Sequence, residues 1–253
     1  VVAAGWFGIQ SWIGGSALDV LMTSMWGAWA SVPLHLPIAF LAFWGLNVWV
    51  GYKGLETIKF MEAWGAPVLI VLGLGLLFWA WSAAGGFGPM LSAPSKYNTL
   101  GEFLPVFFPS LTAMIAFWST LALNIPDFTR YARSQRAQVW GQILGLPTTM
   151  GLYAFIGVAV TSATVVIFGK AIWDPVQLMA KFPPLVVFLG TLGIVLATIT
   201  TNIAANVVAP ARSFENLSPR HITWGMGTVI TGLIGIAMMP WYLLANFADY
   251  IFG

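Results

Sequence analysis

Apolar residues run along this chain in long blocks, and polar residues are confined to short breaks between them. About 20 apolar residues in a helix cross the hydrocarbon core of a bilayer. The pattern predicts seven such blocks, at about 1–25, 33–50, 66–83, 104–125, 139–168, 184–208 and 222–240. The remainder, Trp241 to Gly253, reads as a short connector or the start of another helix. The block from Pro184 to Val208 has no charged residue, yet it carries Thr198, Thr200, Thr201, Asn202 and Asn206. Amides and hydroxyls in hydrocarbon need partners, because no water is there to satisfy them. They mark a polar cavity, a tight helix–helix contact, or both.

Composition turns this pattern into a class. The chain is 59% hydrophobic and 7% charged, with a mean hydropathy of +0.86. Soluble domains carry roughly a quarter charged residues, so an all-α polytopic membrane protein is expected. The absence of cysteine excludes a disulfide framework and a thiolate metal site. The two histidines, His35 and His221, have no ligand spacing. A net charge of +2 is a loop excess of Lys and Arg rather than a nucleic-acid footprint.

The breaks differ in charge. Lys53 and Lys59, then Arg130, Arg133 and Arg136, then Arg212 and Arg220 fall on one side if the blocks alternate. They are seven of the ten Lys and Arg; Lys96, Lys170 and Lys181 lie on the other side. The positive-inside rule makes the first set cytoplasmic. Lys53, Glu56, Lys59 and Glu62 share a helical spacing that reads as an interfacial amphipathic helix with local ion pairs. The chain opens directly into an apolar helix, with no basic n-region or cleavage site. It is expected to be a single transmembrane domain over 1–253, incomplete at both ends.

Three blocks carry candidate chemistry. In the first, Trp6 and Gln10 lie four apart on one face. An indole beside a primary amide can stack a flat heterocycle and bond its edge. The alternative is a lipid-facing Trp and a Gln bonded to a neighbouring helix. In the fourth, Trp118 lies among small and hydroxyl residues that would allow local unwinding, or it simply packs. In the sixth, Thr198, Asn202 and Asn206 form one stripe, and Ala197, Thr200 and Thr201 lie beside it. Hydroxyl and carbonyl oxygens suit an alkali cation. Polar glue between helices is the other reading, and it is the one adopted for Thr198 and Asn202. Asp19, nine residues past Gln10, and Asp127 beside the arginines are expected to be paired structural groups. There is no nucleophile–base pair, so no enzyme is expected. A channel or structural subunit would repeat pore-lining polar residues on several spans.

The runs Trp6-Phe7-Gly8-Ile9-Gln10-Ser11-Trp12-Ile13-Gly14, Phe117-Trp118 with Asn124-Ile125-Pro126-Asp127-Phe128, and Thr201-Asn202-Ile203-Ala204-Ala205-Asn206 resemble nucleobase–cation symporter family 1. Met238-Met239-Pro240-Trp241 is similar to the family as well. That family includes the bacterial hydantoin, allantoin, cytosine and uracil permeases. The resemblance implies an inverted-repeat transporter with a five-plus-five helix core, of which this chain would supply helices three to nine and the start of ten, about seven transmembrane helices. It implies that Trp6 and Trp118 sandwich a substrate ring, that Gln10 and Asn206 bond its edge, and that the backbone near Phe117 contributes. It implies half of a sodium site at the Ala197 carbonyl and the Thr200 and Thr201 hydroxyls. The expected function is cation-coupled symport of a small planar heterocycle, with sodium as the coupling ion and the proton as the alternative. No other cofactor is expected. The expected setting is the inner (plasma) membrane, multi-pass, as a monomer, with no nucleic-acid partner. A proton-coupled nucleobase or vitamin permease of the same family is the second reading.

Overall fold

The computed structural model describes residues 2–92, 97–122 and 125–246; the side chains at 55 and 116–122 lie outside the described set. The described residues are helical throughout their regular elements. In chain order these are α1 (Val2–Met25), a 3-10 turn (Gly27–Ser31), α2 (His35–Lys53), α3 (Leu55–Ala83), α4 (Phe87–Leu91), α5 (Leu100–Ala122), α6 (Pro126–Thr129), α7 (Gln135–Phe168), α8 (Pro175–Met179), α9 (Pro184–Asn206), α10 (Val208–Leu217), α11 (Trp224–Ala237) and α12 (Pro240–Ala245). Side-chain caps set several starts. Ser134 accepts from the Ala137 amide at α7, and Asp174 accepts from the Val176 amide at α8. Thr223 does the same for the Met226 amide at α11. Each satisfies one of the orphan amides of a first turn.

Among the described residues, three helices are long and apolar enough to cross a membrane: Glu56–Ala83, Gln135–Phe168 and Pro184–Leu217. Leu100–Ile115 and Trp224–Ala237 are shorter apolar helices. The third helix begins at Leu55, not at residue 66. The charges at 53–62 read as an interfacial amphipathic helix of their own, but Lys53 ends α2 at the Gly54 break, and Glu56, Lys59 and Glu62 form the first turns of the long α3. Lys59 pairs with Glu56 at 2.8 Å, while Glu62 turns inward and its Oε1 is buried with no hydrogen-bond partner among the described residues.

Two hydrophobic cores organise the helices. One joins Ala80 of α3 and Met90 of α4 to Ile156, Ala159 and Ala163 of α7 and to Leu178 of α8. The other joins Phe7 of α1, Phe43 and Val50 of α2, Ile58 of α3, Ile199 and Ile203 of α9, and Val208 of α10. Helix α1 is the hub of the second core, touching α2, α9 and α11. Its glycines make this possible. A Cβ on Gly8 would run into the Gly235 carbonyl of α11, and one on Gly15 would lie 2.5 Å from the Phe40 Cα of α2. Small residues of this kind let membrane helices approach backbone to backbone. Indole N–H groups tie the same helices together: Trp44 donates to the Gly232 carbonyl at 2.9 Å and Trp224 to the Gly51 carbonyl at 2.8 Å.

Candidate functional site

The polar stripe of α9 docks on α1. Asn202 is fully buried, and its Nδ2 donates to the Phe7 carbonyl at 3.3 Å and to Ser11 Oγ at 3.2 Å. Phe7 and Ser11 immediately follow Trp6 and Gln10 in sequence, so this bond fixes α9 beside the face that carries them. Asn202 Nδ2 also reaches Asn47 Oδ1 of α2 at 3.2 Å, and Asn206 Nδ2 donates to Asn202 Oδ1 at 3.0 Å. Asn206, the last residue of α9, is 4% exposed. Asn202 of α9 thus meets Phe7 and Ser11 of α1, with Asn206 one turn further along α9. Trp6 and Gln10 are both half-buried, and Gln10 has no hydrogen-bond partner among the described residues.

The side chains of Phe117 and Trp118 lie outside the described residues; the backbone at both positions belongs to α5. In α9, Thr200 Oγ1 donates to the Leu196 carbonyl at 3.0 Å and the Ala197 carbonyl at 3.1 Å. Thr200 is buried, and its methyl faces Gly65 of α3. Ala197 is half-buried and Thr201 is exposed. The three proposed cation ligands therefore share one turn, with Thr200 turned inward and Thr201 outward. Among the described residues, no group of three or more His, Cys, Asp or Glu side chains could hold a metal ion.

The remaining motif residues have other partners. Trp12 packs its ring against Phe40 at 5.4 Å and Trp241 at 5.9 Å. Asp19 Oδ1 accepts from Trp29 Nε1 at 2.8 Å and lies 2.7 Å from His35 Nδ1. Asp127 faces Arg130 at 3.9 Å. A cavity of about 300 Å³ lies at the far end of α1, lined by Asp19, Thr23, Phe182 and Val187, more than two turns beyond Gln10. Sequence reasoning missed Asn47. The signal was available: it is a lone amide in the apolar run of α2, and such a group needs a partner.

Comparison with known proteins identifies the family. The sequence model for permeases of cytosine/purines, uracil, thiamine and allantoin matches residues 1–253. The chain belongs to this permease family. Its relatives include a purine-uracil permease of Arabidopsis thaliana, 45% identical over 100% of this chain and 43% of that protein. The allantoin permease of Bacillus subtilis is 40% identical over 95% of this chain and 51% of its own length. The chain spans about half the length of the curated relatives it matches. A structure of Mhp1, a nucleobase-cation-symport-1 family transporter in a closed conformation with bromovinylhydantoin bound, shares the fold with a TM-score of 0.67. It is 21% identical, over 95% of this chain and 53% of that one. The family is one of permeases rather than enzymes.

One expectation is overturned. The chain does not correspond to helices three to nine and the start of ten of the permease fold. The family match runs from the first residue to the last, and twelve α-helical segments form among the described residues. Counting one helix per apolar block missed the short helices α4, α6, α8 and α10, whose few turns leave no block of their own, while α12 lies where the sequence allowed the start of another helix.

Proposed function

We propose that the protein is a secondary transporter that carries a small planar, amide-bearing heterocycle, of the allantoin, hydantoin or nucleobase kind, together with sodium. The observation that supports it most is the docking of Asn202 onto Phe7 and Ser11, the residues next in sequence to Trp6 and Gln10, with the Asn206 amide bonded to Asn202. On this reading the ring stacks between Trp6 and Trp118. Gln10 and Asn206 bond its edge, with the backbone at Phe117 contributing. The Ala197 carbonyl and the Thr200 and Thr201 hydroxyls supply oxygen ligands to the coupling ion. The protein is one membrane unit over 1–253, with seven spans of a five-plus-five helix core, working as a monomer in the plasma membrane. The Arg130–Arg136 connector is cytoplasmic. Transport proceeds by alternating access, the helices that carry the site rocking against the rest.

Proton coupling is the second reading, and one observation favours it. Glu62 holds a carboxylate oxygen buried without a partner, three residues before the Gly65 that packs on Thr200. An ionisable group inside a span is a candidate proton carrier.

The test is uptake by cells expressing the full chain, using radiolabelled allantoin, hydantoin, uracil and cytosine. Accumulation of one of them that collapses without a sodium gradient is expected. Accumulation that follows the pH gradient instead, and is lost in Glu62→Gln, selects the second reading. No accumulation of any of the four contradicts both.

A further inference from the structure

The side-chain amides of Asn206, Asn202 and Asn47 form a head-to-tail chain. Asn206 Nδ2 donates to Asn202 Oδ1, Asn202 Nδ2 to Asn47 Oδ1, and Asn47 Nδ2 to the Phe43 carbonyl at 2.9 Å. A primary amide can usually be turned end for end, since its oxygen and nitrogen occupy similar positions. Here it cannot. The chain ends on the Phe43 carbonyl, and Asn202 also meets the Phe7 carbonyl. A backbone carbonyl only accepts.

Asn47 must therefore turn its NH2 to Phe43 and its oxygen to Asn202. Asn202 must turn its NH2 to Asn47 and Phe7, and its oxygen to Asn206. Asn206 must give one N–H to Asn202, which leaves its Oδ1 and its second N–H uncommitted, with the oxygen held in a fixed place. Reversing any one amide would set two donors or two acceptors face to face. Asn47, Asn202 and Ser11 are 0% exposed, so water cannot repair such a clash.

From this direction we infer that Asn47, on α2 and two amides away from the substrate, is a positioning residue that fixes the polarity of recognition. By fixing which end of Asn206 is bonded to Asn202, it keeps the Asn206 oxygen available to the substrate, so the part of the substrate edge that meets that oxygen carries an N–H donor. The inference rests on the heterocycle reading above and deepens it. The site selects ring N–H groups and rejects the analogue methylated at the nitrogen that meets Asn206. A merely structural role for Asn47 would alter abundance and stability but not the preference for N–H over N–CH3.

The experiment is equilibrium binding of the four radiolabelled heterocycles to the purified full chain, with singly N-methylated analogues as competitors. For the heterocycle that binds, the wild type should reject one methylated isomer. Asn47→Leu keeps the size and removes both ends of the link. It should weaken binding of the parent about tenfold, the range of one net hydrogen bond, and reduce the discrimination against that isomer by about fivefold. Asn47→Asp, which as the neutral acid can still accept from Asn202 and donate to Phe43, should restore much of the discrimination. If Asn47→Leu does not yield folded protein, Asn47→Ser, too short to span both partners, is measured in its place with the same expected loss. Unchanged parent affinity and unchanged discrimination in a folded Asn47 variant would overturn the positioning role while leaving the transport reading intact. A wild type that binds none of the four overturns both.

Discussion

At the residue scale, the two indoles of the first motif have different surroundings. Trp6 is half-buried and four residues from Gln10, whereas Trp12 packs against Phe40 and Trp241. Trp6→Ala should raise the apparent KM for the transported heterocycle at least tenfold, since stacking on an aromatic ring is worth about 1 kcal/mol beyond burial. Trp12→Ala should leave KM near the wild-type value and lower stability by about 2 kcal/mol, a discounted value for a half-buried ring. Uptake kinetics and thermal unfolding in detergent separate the two. Asp19 follows the same logic. Its carboxylate holds Trp29 and His35 against the end of α1, so Asp19→Asn, which keeps an acceptor for the indole, should cost about 1 kcal/mol of stability and leave KM unchanged. The paired structural role of Asp19 was legible in the sequence from its place near the end of an apolar block. Asn47 was not read, because a single amide among ten apolar neighbours has no periodic partner on its own helix. Its side-chain partner, Asn202, is 155 residues away, on α9.

At the element scale, glycine decides which helices meet. The α1–α11 contact at Gly8 and Gly235 has no room for a side chain, whereas Gly75 in α3 faces open space. Gly8→Val should separate the helices and abolish monodisperse protein in size-exclusion chromatography. Gly75→Ala should be tolerated and gain up to about 1 kcal/mol from helix propensity. The apolar blocks located the long helices, but the start of α3 escaped the pattern. Lys53, Glu56, Lys59 and Glu62 carry enough charge to read as an interfacial amphipathic helix. Hydropathy averages over a window and does not see that Glu62 points inward while Lys59 and Glu56 satisfy each other. The docking of α9 on α1 was equally hidden. The stripe of Thr198, Asn202 and Asn206 announced a contact or a cavity, and only the three-dimensional arrangement shows Asn202 making the contact and Asn206 hanging from it.

At the scale of the whole molecule, two cores are built around different helices, and the candidate site belongs to the core centred on α1. Charge sets the orientation in the membrane. Because the chain has no cysteine, single cysteines can report it without background. Arg133→Cys should react with an impermeant maleimide only from the cytoplasmic side, and Lys170→Cys only from outside. Labelling of both from one side would contradict the alternation of spans. The central claim is that a planar heterocycle is held between the Trp6 face of α1 and the amide end of α9. Its most direct measurement is equilibrium binding of the transported heterocycle to purified wild type, Trp6→Ala and Asn206→Ala. The account expects saturable binding that weakens about tenfold or more in each variant while folded protein is retained. Equal affinity in all three would contradict it.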